Sequence, residues 1–536
     1  MHADERFSGG PELADARTPP RPAEVPGTPP AVRRWLAVAA WVAGGLLLFA
    51  FFLRISLSGR VNSDGANSAL QAWDLVHGHL MLHGWVIGDA TFYAFELPLS
   101  GVVQLLVGMG IPAAHIGSAL TYLIVAACAV ALAVTSSSGP ARAVRGAVVV
   151  AVLAAPLLAL PTVWVLLEEP DHIGTSLFLL LPFLLIDRAP DRPFTAPLVG
   201  LILCAGQLSD LTVRYVAVPA VVLVCGYRVL AGRKFRSGDT ALVVAAVVSV
   251  PLESALRAAM VHFGAFVMVP PRTRLAPPGL WPQHASVTWL DVRILFGSVA
   301  GPGTKLGGAG AAFGLICLLA ALVGLARVIW IWRRASRAEQ LLVAAIVCNL
   351  GTYLVSVMPT PHGSREVAAV LPCGAVLAAR ALVPARITGM PRAFAAVAAA
   401  GLIALLPLAT AATRPPARPP SAPLAAWLEA HGLKYGIAGY WDASIVTLQS
   451  GNRVQIRAVD LYRHLYVPGW ETNTLWYDAS KYDATFAVAD AHGQYPAAHF
   501  EHFLGKPAAT YRVADWLVLV YRTNLLHRLM HRPGAY

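Results

Sequence analysis

Eleven apolar runs, separated by short polar connectors with arginine clusters at every second one, constrain this chain more than any other feature. A hydrocarbon layer about 30 Å thick offers the backbone no water, so a run that crosses it must be a helix. The runs cover 35 to 57, 113 to 135, 146 to 167, 174 to 187, 195 to 208, 213 to 230, 240 to 260, 308 to 331, 339 to 357, 367 to 384 and 393 to 412. With 57% hydrophobic and 13% charged residues among 536, the expected fold is an α-helical polytopic membrane protein with about 11 transmembrane helices. The net charge of +12 does not point to nucleic acid as a partner, because the basic residues sit in clusters between the runs. Arg33-Arg34, Arg142 with Arg145, Arg188 with Arg192, Arg228 to Arg236, Arg333-Arg334 and Arg386 with Arg392 all fall on one side, which is then cytoplasmic. The expected partner of this surface is the lipid bilayer, in a multi-pass cell-membrane protein with the N-terminus inside and the C-terminus outside.

Residues 1-33 are rich in Pro, Ala, Gly and charges of both signs, a composition that reads as a disordered cytoplasmic tail rather than a signal peptide. The membrane domain is expected over 34-412, with outer loops at 58-112, 168-174, 209-213, 261-307 and 358-366. Within the first loop, Leu97 to Gly110 is about half the length needed to cross and reads as an interfacial or re-entrant helix. Beyond Arg414-Pro415-Pro416 the apolar runs shorten, and 413-536 reads as an extracytoplasmic α/β domain. Helices are expected at Ala425 to His431 and Ala498 to Leu504, and strands at Tyr435 to Tyr440, Arg453 to Val459, Thr485 to Ala489 and Trp516 to Tyr521. All six cysteines lie in apolar runs without CxxC pairing and read as small buried hydrophobes.

The polar residues are distributed unevenly, with nearly all carboxylates and histidines in the expected outer loops. Asp64, Asp74, His77, His79, His83, Asp89 and Glu96 fall in the first, Glu168, Glu169, Asp171 and His172 in the second, Asp210 and Arg214 in the third, and His362, Arg365 and Glu366 in the fifth. A set drawn from loops hundreds of residues apart is best explained by one shared cavity. The segment from Asn62 onward places Ala66, Ala69, Leu70, Trp73, Val76 and Leu80 at helical spacing, which predicts an amphipathic helix along the interface with Asp64 at or just before its N-terminus. Asp64 and Asn62 are then either helix caps or, for Asp64, something more. Glu253 and Arg257, four apart inside a span, read as a self-compensating ion pair or as groups on a cavity or proton path.

The order of these parts resembles the integral-membrane glycosyltransferases of the GT-C class, which includes protein O-mannosyltransferases, aminoarabinose transferases and oligosaccharyltransferases. The resemblance rests on one span, a long outer loop opening with Ser63-Asp64-Gly65, a half-length helix, and Glu169-Pro170-Asp171-His172 after the third span. It departs from the oligosaccharyltransferases in lacking a WWD-type acceptor signature, of which Tyr440-Trp441-Asp442 is a superficial echo. The resemblance implies transfer of a sugar from a polyprenyl-phosphate donor to a protein, lipid or glycan acceptor on the outer face. It implies Asp64 as general base, Arg365 with His362 and Arg214 around the donor phosphate, and Glu169, Asp171 and His172 as a second acidic motif or ligands for a divalent metal (Mg or Mn). Asp89 and Glu96 stand as acceptor or loop support. The rival from another class is a transporter or flippase for a lipid-linked or small solute, which would carry its charges near the midplane.

Overall fold

In the computed structural model, residues 30–531 are described except 160–164, 168–171, 234, 236, 270–273, 300–306, 361–362, 462–463 and 491–494. The chain divides into two compact units, Met1–Leu47 and Leu48–Tyr536. The helix Pro30–Ser56 begins in the first, and the expected disordered tail lies almost wholly outside the described residues.

Among the described residues, eight helices are long and apolar enough to cross a membrane, and they overlap eight of the eleven expected spans. The remaining three are the shorter helices Leu177–Arg188, Thr195–Ser209 and Val370–Leu382, of 12, 15 and 13 residues. At 1.5 Å per residue such helices reach only about 18 to 23 Å. Two of them are preceded by 3-10 turns, Gly174–Ser176 and Gly363–Val367, that extend the crossing toward the loops. The chain is therefore a polytopic α-helical membrane protein with a large bundle core that includes Tyr122, Phe183 and Phe296. Small residues let the helices close up: a Cβ at Gly324 would lie 2.6 Å from the Leu377 carbonyl carbon.

The C-terminal region is a mixed sheet of seven strands. Their spatial order is Met530–His531, Leu465–Val467, Gln455–Leu461, Tyr435–Gly439, Phe486–Asp490, Trp516–Val520 and Ala509–Val513. The central three strands are parallel; Leu465–Val467, Trp516–Val520 and Ala509–Val513 join antiparallel, and the edge strand Met530–His531 pairs parallel to Leu465–Val467. Alternate side chains leave the sheet on opposite faces. Ala438, Val488 and Val518 enter one core, while Ile437, Ala487 and Leu519 enter the other. Between the parallel strands Tyr435–Gly439 and Gln455–Leu461 runs the helix Tyr440–Gln449, which the sequence reading did not include. A parallel pair cannot be joined by a tight turn, so a crossover element between those two strands was required.

The loop helix Ser63–Val76 differs from its expected setting. Ten of its fourteen residues are buried, because it is packed between the half-length helix Glu96–Val107 and the C-terminal helix Tyr440–Gln449. Gly101 permits the first contact, since a Cβ there would run into Val76 and the Ala72 carbonyl. A second small sheet fixes the arrangement. Trp85–Ile87 pairs with Val267–Met268 from the long loop and with Thr472–Asn473 from the C-terminal region.

Candidate active site

Asn62 caps the loop helix, its Oδ1 accepting from the Gly65 amide at 3.0 Å. Asp64 is thus relieved of the capping role and sits half-buried in the first turn. Its Oδ1 accepts a hydrogen bond from the Tyr440 hydroxyl, contributed by the C-terminal region, and its Oδ2 accepts none from the described residues. Burial and the Asp64 charge hold the Tyr440 hydroxyl far above the usual phenol range, so it remains a donor. One helical row then faces the C-terminal region at i, i+3 and i+7. Asn67 donates to the Tyr440 hydroxyl at 3.3 Å and accepts from Ser444 at 2.6 Å, and Gln71 donates to Glu471 Oε2 at 2.6 Å.

Glu471 was not singled out from the sequence. It directly precedes the Thr472–Asn473 strand, and this register brings Oε1 within 2.6 Å of the Gly88 amide. Its backbone has φ 43°, a conformation side chains other than Gly rarely adopt. Burial pushes its carboxyl up to about 8, with the charges of Asp64 and Asp89 adding to the rise. The residue therefore lies electrostatically between those two acids. No local sequence signal marks it, because its position follows from the pairing of Val86 with Thr472, a contact between distant parts of the chain.

A cavity of ≈ 340 Å³ lies beside this group, and each of the five expected loops sends a residue to its wall. Asp89, His172, Asp210, Arg274 and Glu366 line it, together with apolar and hydroxyl groups from the helix Arg337–Val355. The loops meet because the Thr91 and Phe92 amides donate to the Ser209 carbonyl at 2.7 and 2.9 Å, beside a bridge between Ala90 and Asp210. His172 Nδ1 is 2.5 Å from Asp210 Oδ2, and its Nε2 is 3.5 Å from Glu366 Oε2. Burial alone would raise the Asp210 carboxyl. The facing His172, the Thr175 hydroxyl at 2.6 Å and the Thr212 amide at 2.8 Å instead hold it down at about 2. Arg365 Nε stands 3.5 Å from Glu366 Oε1.

Glu96 sits behind this cavity, fully buried, with both oxygens lacking a hydrogen-bond partner among the described residues. Burial pushes it up to about 8, Asp210 raising it further and His172 opposing, so it is protonated at neutral pH. A Cβ at Gly174 would collide with this carboxyl.

Arg214 is placed elsewhere. It donates to Glu253, to Gln207 at 3.2 Å and to Ser254 at 3.2 Å, and Arg257 donates to the same Glu253. Glu253 is fully buried and accepts from both guanidinium groups, so the expected i,i+4 pair is part of a triad. Arg214 is not part of the cavity wall.

Glu169, Asp171 and His362 lie outside the described residues. Among the described residues no three His, Cys, Asp or Glu side chains gather around one point in a way that could hold a metal ion. Both ring nitrogens of His172 face carboxylates already.

No protein-family model matches the sequence, and no curated protein does. Solved structures do. ArnT from Cupriavidus metallidurans in the apo state aligns with 94% of this chain and 100% of its own, with TM-score 0.55 and 14% identity. The same protein bound to undecaprenyl phosphate aligns with 90% of this chain and 97% of its own, with TM-score 0.53 and 15% identity. The oligosaccharyltransferase of Archaeoglobus fulgidus in the apo form covers 83% of this chain and 69% of its own, with TM-score 0.45 and 13% identity. At these identities the likeness is one of fold alone, shared with ArnT over nearly the whole length of both chains.

Proposed function

We propose that this protein transfers a sugar from a polyprenyl-phosphate donor to an acceptor hydroxyl at the outer face of the cytoplasmic membrane. The observation that carries this reading is Asp64. One of its carboxylate oxygens is occupied by Tyr440 and the other accepts from none of the described residues, on a helix packed between the half-length helix and the C-terminal region. Positioning one oxygen by a phenol leaves the second to take the proton of an acceptor hydroxyl. As that proton passes to Asp64, the acceptor oxygen bonds to the sugar C1, and the C1–O bond to phosphate breaks with its electron pair leaving on the polyprenyl phosphate. Positive charge is needed where that phosphate departs. Arg365 and Arg274 supply it at the cavity, and His172 keeps the surrounding carboxylates neutralised.

The likeness of fold to ArnT, a structure of which holds undecaprenyl phosphate, supports the donor class. The apolar and hydroxyl-lined wall contributed by the helix Arg337–Val355 suits a lipid phosphate entering from the bilayer. The C-terminal region contributes Tyr440 and Glu471 and borders the acceptor side. It orients the base rather than reacting.

The reaction is tested by incubating the purified protein with radiolabelled polyprenyl-phosphate sugars and envelope extracts, following release of polyprenyl phosphate and labelling of acceptor. Donor consumption tied to acceptor labelling is expected; no release from any donor overturns the reading. Orientation is tested separately, with alkaline phosphatase active when fused after Thr413 and inactive when fused after Arg236.

A further inference from the structure

We propose that a second cavity, of ≈ 400 Å³ between the loop helix Ser63–Val76 and the C-terminal sheet, binds a neutral saccharide. Its wall carries three aromatic side chains, Trp73, Trp476 and Tyr482, together with Asp74, Arg457 and Asn473. Arg457 is the informative one. It is only 3% exposed, yet it makes no salt bridge to a carboxylate among the described residues, Asp74 acting on it only through the cavity. Its guanidinium lies 4.6 Å from the centre of the Trp476 ring and 5.0 Å from that of Tyr482, and Nη2 donates to Gln455 Oε1 at 2.6 Å. The Nε–H is buried and has no partner among the described residues. A buried donor left in this state costs about 1 to 3 kcal/mol unless something accepts from it. The aromatic clamp fixes the guanidinium plane, so the fork is set before any ligand arrives.

Asp74 supplies the complementary group. Its Oδ2 accepts from Trp85 Nε1 at 2.8 Å, which pins the carboxylate at the cavity edge. A sugar hydroxyl both donates and accepts, so neighbouring hydroxyls can give a proton to Asp74 and accept from Arg457. The aromatic rings offer flat apolar surface to the C–H face of a sugar ring. The wall opposes one carboxylate, Asp74, to one guanidinium, Arg457, with His79 and His83 beside them, and a neutral ligand meets both charges without repulsion from either.

The cavity continues the polar row that starts at Asp64. Ten residues separate Asp64 from Asp74 on one helix, about 15 Å along its axis. A glycan with its reacting hydroxyl at Asp64 can therefore reach the aromatic cavity with a more distant residue. That the saccharide is the acceptor rests on the transferase reading above; that the cavity binds a saccharide does not.

The test is capture of the intact, detergent-solubilised protein on an array of neutral and uronic-acid-containing glycans. Capture by neutral glycans is expected, lost in Arg457→Met and at least tenfold weaker in Trp73→Ala and Asp74→Asn. If Arg457→Met fails to fold, the other two variants decide the matter. Capture by no neutral glycan, capture by anionic glycans alone, or undiminished capture in every folded variant overturns the proposal. Asp64→Asn should retain capture whatever its turnover. A protein that binds glycans without transferring sugar would remove the transferase reading and leave this site standing.

Discussion

The two polar groups at the loop end of the bundle are assembled in different ways. The His172 group draws one residue from each of several loops and settles their charges by pairing, His172 between Asp210 and Glu366 and Arg365 beside Glu366. The Asp64 group meets the C-terminal region along one helical row and is held by hydrogen bonds to neutral partners, Tyr440 to Asp64 and Gln71 to Glu471. Burial raises the carboxyl in both, and the neighbours decide the outcome. Asp210 is held down at about 2 by its paired histidine, whereas Glu471, with acids as neighbours, is pushed up to about 8. A cavity lined by paired charges is suited to holding a charged headgroup, while a carboxylate with one open oxygen is suited to taking a proton.

The comparison breaks most sharply at Asp64. Asp64→Asn keeps the size and the Tyr440 hydrogen bond but cannot take a proton, and because Asn62 already caps the helix, no cap is lost. Turnover should fall by roughly 100-fold or more with donor binding intact. Near-normal turnover in a well-folded variant would strip Asp64 of the role of base.

Tyr440→Phe leaves Asp64 chemically competent but unpositioned. Removing a hydrogen bond to a charged group costs about 1.5 to 3 kcal/mol, so kcat should drop roughly 10- to 150-fold while the donor KM holds. A drop in donor affinity alone would assign Tyr440 to the other group.

For the His172 group the expected pattern is reversed. Asp210→Asn removes the carboxylate that His172 faces at 2.5 Å, so the donor KM should rise about fivefold with kcat little changed. Steady-state kinetics at varied donor would detect a fall in kcat instead, which would merge the two groups into one function.

The smallest effect concerns pH. Glu471 has a folded value of about 8 against an ordinary 4.5, so its stabilising contribution is complete below pH 4.5 and is lost as pH rises through 8. The thermal midpoint of the wild type should decline between about pH 4.5 and about pH 8 and level off above that, by at most about 1.4 kcal/mol of stability per pH unit from this residue. Glu471→Gln cannot ionise and should decline less. An identical pH slope in the two proteins would mean that Glu471 is already ionised in the fold.

Read residue by residue, the sequence determined the bundle, because apolar length and basic clusters are local properties that the bilayer selects directly. It also determined four of the seven strands of the C-terminal sheet and two helices, whose alternation is imposed by burial on both faces of a sheet. It pointed to loops converging, and Asp89, His172, Asp210 and Glu366 do meet at one cavity. Only the tertiary structure decided what surrounds Asp64. The apolar row of its helix suggested a membrane surface, yet that face packs on Glu96–Val107 and the polar row is covered by the C-terminal region. Tyr440 reaches Asp64 across 376 residues of sequence, and Gln71 meets Glu471 across 400. Such contacts leave no period or spacing in a single chain. They depend on the register of Trp85–Ile87 with Thr472–Asn473, which is fixed by packing rather than by any neighbouring residue.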